Sequence, residues 1–190
     1  MRCMVCESLS LKHICKTCQN EFLSPSFYER KLLGKIPVYS FYKYQDIESL
    51  LLTKHTNLGY YIYTILAQNS FKPFSENFEF AHKIASLGID DHTRNGYSHT
   101  AILNKQLKSS VIRPIYAKLR AKNSVSYSGK DYQYRLLNPR DFNINRFKEQ
   151  DVVLVDDIIT TGLTLTQAVQ ALEKGGKNVL FCLTLADARK

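Results

Sequence analysis

Two groups of residues in this sequence carry side chains that could do chemistry. The first is a set of cysteines near the start of the chain, arranged as two Cys-x-x-Cys pairs with eight residues between them: Cys3, Cys6, Cys15 and Cys18. The second is a pair of adjacent carboxylates, Asp156 and Asp157, followed by a loop rich in threonine. The first group indicates metal binding, and the second indicates binding of a phosphorylated sugar.

The cysteine spacing predicts a closed, structural zinc site. Two residues between thiolates let both sulfurs of a pair reach one ion, and two such pairs complete a four-thiolate shell. A disulfide pairing and an iron site with the same ligands are the alternatives. The chain starts without a secretory signal, which favours a reducing compartment where disulfides are rare. His13, between the pairs, could replace one ligand but is interpreted as a surface residue.

The acidic loop follows a short apolar run, Val152–Val155, which is predicted to be a strand. Such a strand brings Asp156 and Asp157 to the carboxyl end of the sheet, where open α/β folds bind ligands. Hydroxyls and main-chain amides at the start of the next helix can hold a phosphate, and Gly162 permits close approach. Carboxylates accept hydrogen bonds from sugar hydroxyls. We therefore predict a ribose diol beside a 5′-phosphate; the alternative, that the acids only cap the helix, would need just one of them.

Strand and helix patterns alternate along the rest of the chain, which predicts an α/β fold with a mostly parallel sheet flanked by helices. The predicted strands cover 37–44, 78–85, 112–119, 152–155 and 179–185. The predicted helices cover 46–67, with an interruption near Gly59, then 96–107 and 164–175. Residues 1–34 are predicted to form the zinc module and a hinge-like linker, and residues 35–190 the main domain. No apolar run is long enough to span a membrane.

The charge of the chain predicts anionic partners. The net charge is +9, and between residues 92 and 148 twelve lysines and arginines face only two acids. Tyrosines are interleaved with these bases, a combination that suits single-stranded nucleic acid because bases stack on aromatic rings. The alternative is a solvated basic surface. The predicted nucleic-acid residues are Lys118, Arg120, Lys122, Tyr127, Tyr132, Tyr134 and Arg135.

The thirteen residues from Val152 to Thr164 resemble the phosphoribosyl pyrophosphate (PRPP) signature of type I phosphoribosyltransferases. The resemblance implies that the two acids bind the ribose hydroxyls, that the loop binds the 5′-phosphate, and that Mg²⁺ accompanies PRPP. The PRPP-binding residues implied in this part of the chain are Asp156, Asp157, Ile158, Ile159, Thr160, Thr161, Gly162 and Thr164.

A four-cysteine module followed by this signature resembles the ComF family, the competence proteins of bacterial DNA uptake. The stretches around Lys54, 94–99 and 134–138 are similar to further elements of that family. Its pyrophosphate loop corresponds to 84–89, where the family's prolines and histidine are absent. Main-chain amides near Ser86 and Leu87 could still hold a pyrophosphate, but no catalytic residue is identified.

The ComF resemblance implies a DNA-uptake protein that binds PRPP and handles single-stranded DNA. It further implies a cytoplasmic protein, or one peripheral at the inner membrane, with other proteins of the uptake machinery as partners. Two other functions stay open. One is an active phosphoribosyltransferase with an unknown acceptor, and the other is a PRPP sensor that controls a partner.

Overall fold

A six-stranded sheet forms the centre of the protein. The computed structural model describes residues 1–89, 93, 96–122 and 140–189. The strands of the sheet are β1 (Tyr28–Leu32), β2 (Ile36–Lys43), β3 (Ile84–Gly88), β4 (Ile112–Ile115), β7 (Asp151–Ile159) and β8 (Asn178–Asp187). Their spatial order is β1-β2-β8-β7-β3-β4, and all neighbours are parallel except β1 and β2. Two short strands, β5 (Leu119–Ala121) and β6 (Phe142–Ile144), form a separate antiparallel pair.

Helices cover both faces of the sheet, as the alternating pattern predicts. The helices are α1 (Lys16–Phe22), α2 (Tyr44–Leu51), a 3₁₀ helix (Leu52–His55), α3 (Asn57–Asn69), α4 (Phe71–Asn77), α5 (His99–Lys105) and α6 (Leu163–Lys174). Helices α2 to α5 contribute to the hydrophobic core on one face. Helix α6 and the β5–β6 pair contribute to the core on the other. The predicted fold class is confirmed.

Strand β7 is the element that carries the acidic loop, and its sequence explains its central place. Val152, Val153, Leu154 and Val155 are all buried. Alternate residues of a strand face opposite sides of the sheet, so a continuous apolar run suits a strand covered on both faces. Strands β3 and β8 pair with it on either side.

Some predicted elements differ from those observed. The run 78–83 is not a strand, because its aromatic residues pack on the sheet instead: Phe78 lies 5.5 Å from Phe181 and 5.4 Å from Phe74, ring centre to ring centre. The predicted strand 112–119 is split into β4 and β5, with Ala117 in the left-handed region at φ 55°. The segment predicted as a hinge contains β1, which is part of the sheet.

The N-terminal segment packs against the face of the main sheet that is covered by α2 to α5. Cys3, Ile14 and Cys18 belong to the same buried cluster as residues of α2 to α5. The ring of His13 stacks on Tyr61 of α3 at 4.5 Å. Among the described residues, no helix has the length and apolar character needed to cross a membrane.

Candidate functional site

The two adjacent acids lie where β7 extends past its neighbour β3. Strand β3 ends at Gly88, which pairs with Val155, whereas β7 continues to Ile159 alongside β8. Among the described strands, β8 alone pairs with residues 156–159. Because side chains alternate along a strand, Asp156 and Asp157 point in opposite directions, and the structure gives them different surroundings.

Asp157 is buried, with 7% of its surface exposed, and it is held by three side chains. The Nζ of Lys54 donates to its Oδ2 at 2.9 Å, and the hydroxyl of Tyr63 donates to the same oxygen at 3.4 Å. The Nε2 of His99 lies 3.5 Å from that oxygen. A buried carboxylate is stable only when it is paired and hydrogen-bonded, so these contacts account for its place in the core.

A second hydroxyl holds the 3₁₀ helix that carries Lys54. The Tyr97 hydroxyl donates to the carbonyls of Lys54 and Thr56, at 2.7 and 3.0 Å. It lies where a Cβ on Gly59 would be, only 2.0 Å away. Glycine at position 59 therefore makes room for this contact, which joins the start of α5 to the helices that follow β2.

The two acids have pKa values shifted in opposite directions. Burial acts to raise the pKa of Asp157, but the charges of His99 and Lys54 outweigh it and hold that pKa well below its usual range. For Asp156, burial and then the negative charge of Asp157 raise the pKa to about 8, against smaller opposing effects of Arg140 and Lys54. Asp157 is thus ionised at neutral pH, whereas Asp156 titrates near pH 8.

Asp156 and the threonine loop line one shallow depression. Its lining is formed by Asp156, Ile158, Ile159, Thr160, Thr161, Gly162, Leu163, Thr164 and Leu165. Gly162 adopts a left-handed conformation, φ 79°, at the N-cap of α6, and a Cβ there would lie 2.7 Å from Leu32. Glycine is needed for both reasons. The N-terminus of a helix with hydroxyls beside it can bind a phosphate, and among the described lining residues Asp156 alone is ionisable.

The structure brings together most of the predicted PRPP-binding residues, but not all. Asp157 faces the helices rather than the depression. Ser86 and Leu87 lie inside β3, with β4 and β7 paired on either side, and both are buried. This corrects the expectation that the stretch 84–89 forms a loop with free amides, since residues 84–88 form an interior strand whose backbone groups are used in the sheet.

The four cysteines converge on one point. Their sulfur atoms all lie within 4.8 Å of one another, and Sγ of Cys6 and Cys15 are 3.7 Å apart. A tetrahedral ion with metal–sulfur bonds of about 2.3 Å needs sulfurs roughly 3.8 Å apart, so the donor set fits zinc. The main-chain N–H groups of Cys15 and Val5 donate to Sγ of Cys3, at 3.2 and 3.4 Å. Main-chain hydrogen bonds, from Cys15 most strongly and then from Cys6 and Val5, lower the pKa of Cys3 to about 6 and favour the thiolate that a metal requires.

The predicted nucleic-acid residues are described only in part. Lys118, Arg120 and Lys122 are on and beside β5, two residues apart, so they share the face of the strand opposite buried Leu119. Lys118 donates to the carbonyl of Arg146 at 2.9 Å, and Lys122 lies 3.6 Å from Asp141. The other predicted residues lie outside the described part of the chain: Tyr127, Tyr132, Tyr134 and Arg135.

Sequence reasoning missed Tyr63 and His99 as partners of Asp157. Tyr63 is one of several buried residues of α3. His99 is the first residue of α5 and lies 58 positions before Asp157 in the sequence. No spacing links these positions; the sheet order brings them together. Lys54 was noted only through a family resemblance, which did not predict its contact with Asp157.

The fold and this depression define a class: α/β proteins with a candidate ligand site at the carboxyl end of a mostly parallel sheet. Comparison with known families is more specific. The phosphoribosyl transferase domain matches residues 94–190, just over half of the chain. The chain belongs to this family.

Individual relatives resemble the chain over different lengths. A 47-residue stretch is 40% identical to the Transcriptional regulator GfcR of Methanosphaera stadtmanae, covering 25% of this chain and 24% of that protein. The chain therefore spans about a quarter of the length of this curated relative.

Solved structures show weaker similarity, and we base no function on them. An orotate phosphoribosyltransferase from Aeropyrum pernix is 15% identical, with a TM-score of 0.41 over 90% of this chain and 80% of that one. A hypoxanthine phosphoribosyltransferase from Staphylococcus aureus is 18% identical, with a TM-score of 0.39 over 64% of this chain and 62% of that one.

The cysteine cluster generates the first prediction. The purified protein should carry about one zinc ion per chain, and Cys3→Ser or Cys15→Ser should abolish this, because three sulfurs leave the shell open. Elemental analysis after reductive purification measures the metal, and Cys182→Ser, a buried cysteine in β8 away from the cluster, is the matched control. Bound iron, or no metal in the unmodified protein, would contradict the prediction.

The buried Asp157 generates the second prediction. Lys54→Met should lower the free energy of unfolding by roughly 2–3 kcal/mol at pH 7. This loss is smaller than the loss from breaking a fully buried ion pair, because about one quarter of the Lys54 side chain is exposed. The folded-state pKa of Asp157 is lowered, so its stabilising effect is present above about pH 4 and lost as the pH falls below that value. The difference between Lys54→Met and the unmodified protein should therefore shrink from pH 5 towards pH 3.

Urea unfolding measures this difference. The matched control is Lys72→Met, which removes an exposed ion pair with Glu76 at 3.8 Å. It should cost less than about 1 kcal/mol. In an Asp157→Asn background, Lys54→Met should cost less than it does alone; equal costs in both backgrounds would show that the two residues do not interact.

Proposed function

We propose that this chain binds PRPP, accompanied by Mg²⁺, in the depression formed by Asp156 and residues 160–164, and that it serves DNA uptake as a ComF-type protein. The observation that carries the first part is the convergence of Asp156, the threonine hydroxyls and the N-terminus of α6 around one depression. It lies within the stretch that matches the phosphoribosyl transferase domain. These groups suit a ligand that joins a sugar diol to a phosphate.

Each group has a separate role in this proposal. Thr160, Thr161 and Thr164, with main-chain amides at the start of α6, hold the 5′-phosphate. Asp156 accepts hydrogen bonds from the ribose hydroxyls. Hard oxygen donors of this kind, together with the ligand's phosphates, also suit Mg²⁺. Asp157 does not contact the ligand; it fixes the end of β7, so that Asp156 and the loop keep their positions.

Binding rather than turnover is the part that the geometry supports. The depression offers one ionisable side chain among the described residues, and the stretch 84–88 is a buried strand. The alternative function is an active phosphoribosyltransferase with an unknown acceptor, which membership of the family favours. Incubating the protein with Mg²⁺, labelled PRPP and candidate acceptors separates the two, because only the transferase releases pyrophosphate in an acceptor-dependent way.

The DNA-handling part of the proposal is supported by charge and by the ComF resemblance. The net charge of +9 is concentrated between residues 92 and 148, where β5 presents Lys118, Arg120 and Lys122 on one face. We propose that single-stranded DNA binds along this face, and that the protein acts in the cytoplasm or at the inner membrane with other uptake proteins. The cysteine module is proposed to hold zinc as a structural ion.

The PRPP proposal generates the third prediction. Asp156→Asn should weaken PRPP binding by about tenfold or more, because an amide cannot replace a charged acceptor of two hydroxyls. Because the pKa of Asp156 is about 8, the affinity of the unmodified protein should rise from pH 7 to pH 9, and Asp156→Asn should lack that rise. Titration calorimetry with PRPP and Mg²⁺ measures both effects.

The control for this experiment is Asp46→Asn, an exposed acid at the start of α2. It should bind PRPP like the unmodified protein. If Asp156→Asn binds PRPP as tightly as the control at every pH, the assignment of Asp156 is wrong. If the unmodified protein does not bind PRPP, the proposed function itself fails.

The basic face of β5 generates the fourth prediction. Single-stranded DNA should bind more tightly than duplex, and affinity should fall with salt with a slope of about −0.7 per phosphate contact. Changing Lys118, Arg120 and Lys122 together to Ala should flatten this slope while PRPP binding is kept. Changing the exposed Lys72, Lys83 and Lys174 together to Ala gives a control of equal charge, which should keep the slope; equal effects in both variants would assign DNA binding to net charge alone.

A further inference from the structure

Side chains of the edge strand β1 reach residues 160–162 of the loop between β7 and α6, here called the phosphate loop. In the sheet, β2 and β8 lie between β1 and β7. The Nη1 of Arg30 donates to the carbonyl of Thr160 at 2.6 Å. Two residues further along the same face of β1, the side chain of Leu32 lies against Gly162. A segment that the sequence predicts to be a linker thus contacts both ends of the short loop that carries the phosphate-binding groups.

The hydrogen bond from Arg30 fixes the orientation of one peptide unit in the loop. The described peptide bonds are trans. In a planar trans unit the carbonyl oxygen and the next N–H point in opposite directions. With the Thr160 carbonyl held towards Arg30, the N–H of Thr161 must point away from Arg30. A donor with a fixed direction costs less entropy to use in binding than one that must first be ordered.

Arg30 also brings positive charge that is only partly neutralised. Its Nη1 lies 3.5 Å from Oδ1 of Asp187, the buried acid at the end of β8. The other oxygen of Asp187 is bound by Arg189, whose Nη2 and Nε lie 2.6 and 2.7 Å away. Two guanidinium groups therefore share one carboxylate, which leaves a net charge of +1 on these three side chains. An anion in the loop would balance this excess.

We propose that Arg30 is a positioning residue for the phosphate loop: by holding the Thr160 carbonyl it aims the Thr161 N–H at the 5′-phosphate of the ligand, and its charge favours that phosphate. The proposal rests on the proposed binding of PRPP and adds a residue from outside the matched domain, 94–190. It also gives the segment between the cysteine module and the sheet a part in ligand binding.

The test compares two ligands and four variants of the full chain by titration calorimetry. Arg30→Met should raise the dissociation constant for PRPP and for ribose 5-phosphate by about tenfold to a hundredfold, the size expected for a charge-assisted hydrogen bond. It should keep the zinc content and the cooperative urea unfolding of the unmodified protein, which shows that the variant is folded. Arg30→Lys should recover part of the loss by restoring the charge and one donor.

Two further variants separate position from charge. Arg189→Met removes the excess charge but keeps the contact with Thr160, so its effect should be a few-fold and should disappear at high salt. Lys35→Met removes an exposed cation from the turn after β1, where it pairs with Glu173 at 2.7 Å, and should bind both ligands like the unmodified protein.

Several outcomes would overturn the proposal. One is equal binding of ribose 5-phosphate by Arg30→Met and the unmodified protein. Another is an equal loss in Lys35→Met, which would show that the effect does not depend on the contact with Thr160. If the unmodified protein binds neither sugar phosphate, the proposed function fails, and hydrogen exchange in the ligand-free protein still decides the positioning role. Exchange at residues 160–162 should be several-fold faster in Arg30→Met than in Lys35→Met, and equal rates would refute it.

Discussion

The charge on Asp157 is the constraint on which the rest of the site depends. A carboxylate with so little exposed surface has to be matched by donors, and those donors come from the 3₁₀ helix, from α3 and from the start of α5. Their contacts pull three separate segments onto the end of β7. Because β7 is fixed at Asp157, the loop that follows this strand begins from a defined position. The adjacent Asp156 is then directed to the opposite side, where it lines the depression.

Asp156 and Asp157 therefore have separate roles, one in lining the depression and the other in stabilising the end of β7, which a single residue could not combine. The ion pairs that stabilise Asp157 also occupy its oxygens, so it has little capacity left for a ligand. Asp156 lines the depression, where a ligand can reach it, and its raised pKa makes its charge dependent on pH. Stability and binding are thereby assigned to opposite faces of one strand.

The sequence was sufficient for the elements whose patterns are local. The run Val152–Val155 and the glycine that starts α6 predict the strand, the loop and the helix, and the cysteine spacing predicts the cluster, because each depends on neighbours a few residues away. The surroundings of Asp157 were not predictable, since Lys54 and His99 meet it only through the order of the strands. The stretch 84–89 was interpreted as a loop because of the family resemblance, and the local sequence does not show that residues 84–88 pair with a strand on both sides.

The order of the strands also constrains how the chain can fold as it is synthesised. Strand β2 pairs with β8, with Val38 opposite Cys182, so the two partners are separated by most of the chain. Until β7 and β8 have emerged from the ribosome, β2 has only the short β1 beside it, and β3 lacks the strand that buries its other edge. Contacts so distant in sequence form slowly, and unpaired strands are prone to aggregate. The cysteine cluster differs in this respect, because its four ligands lie within sixteen residues of sequence and are close together as soon as that stretch has been synthesised.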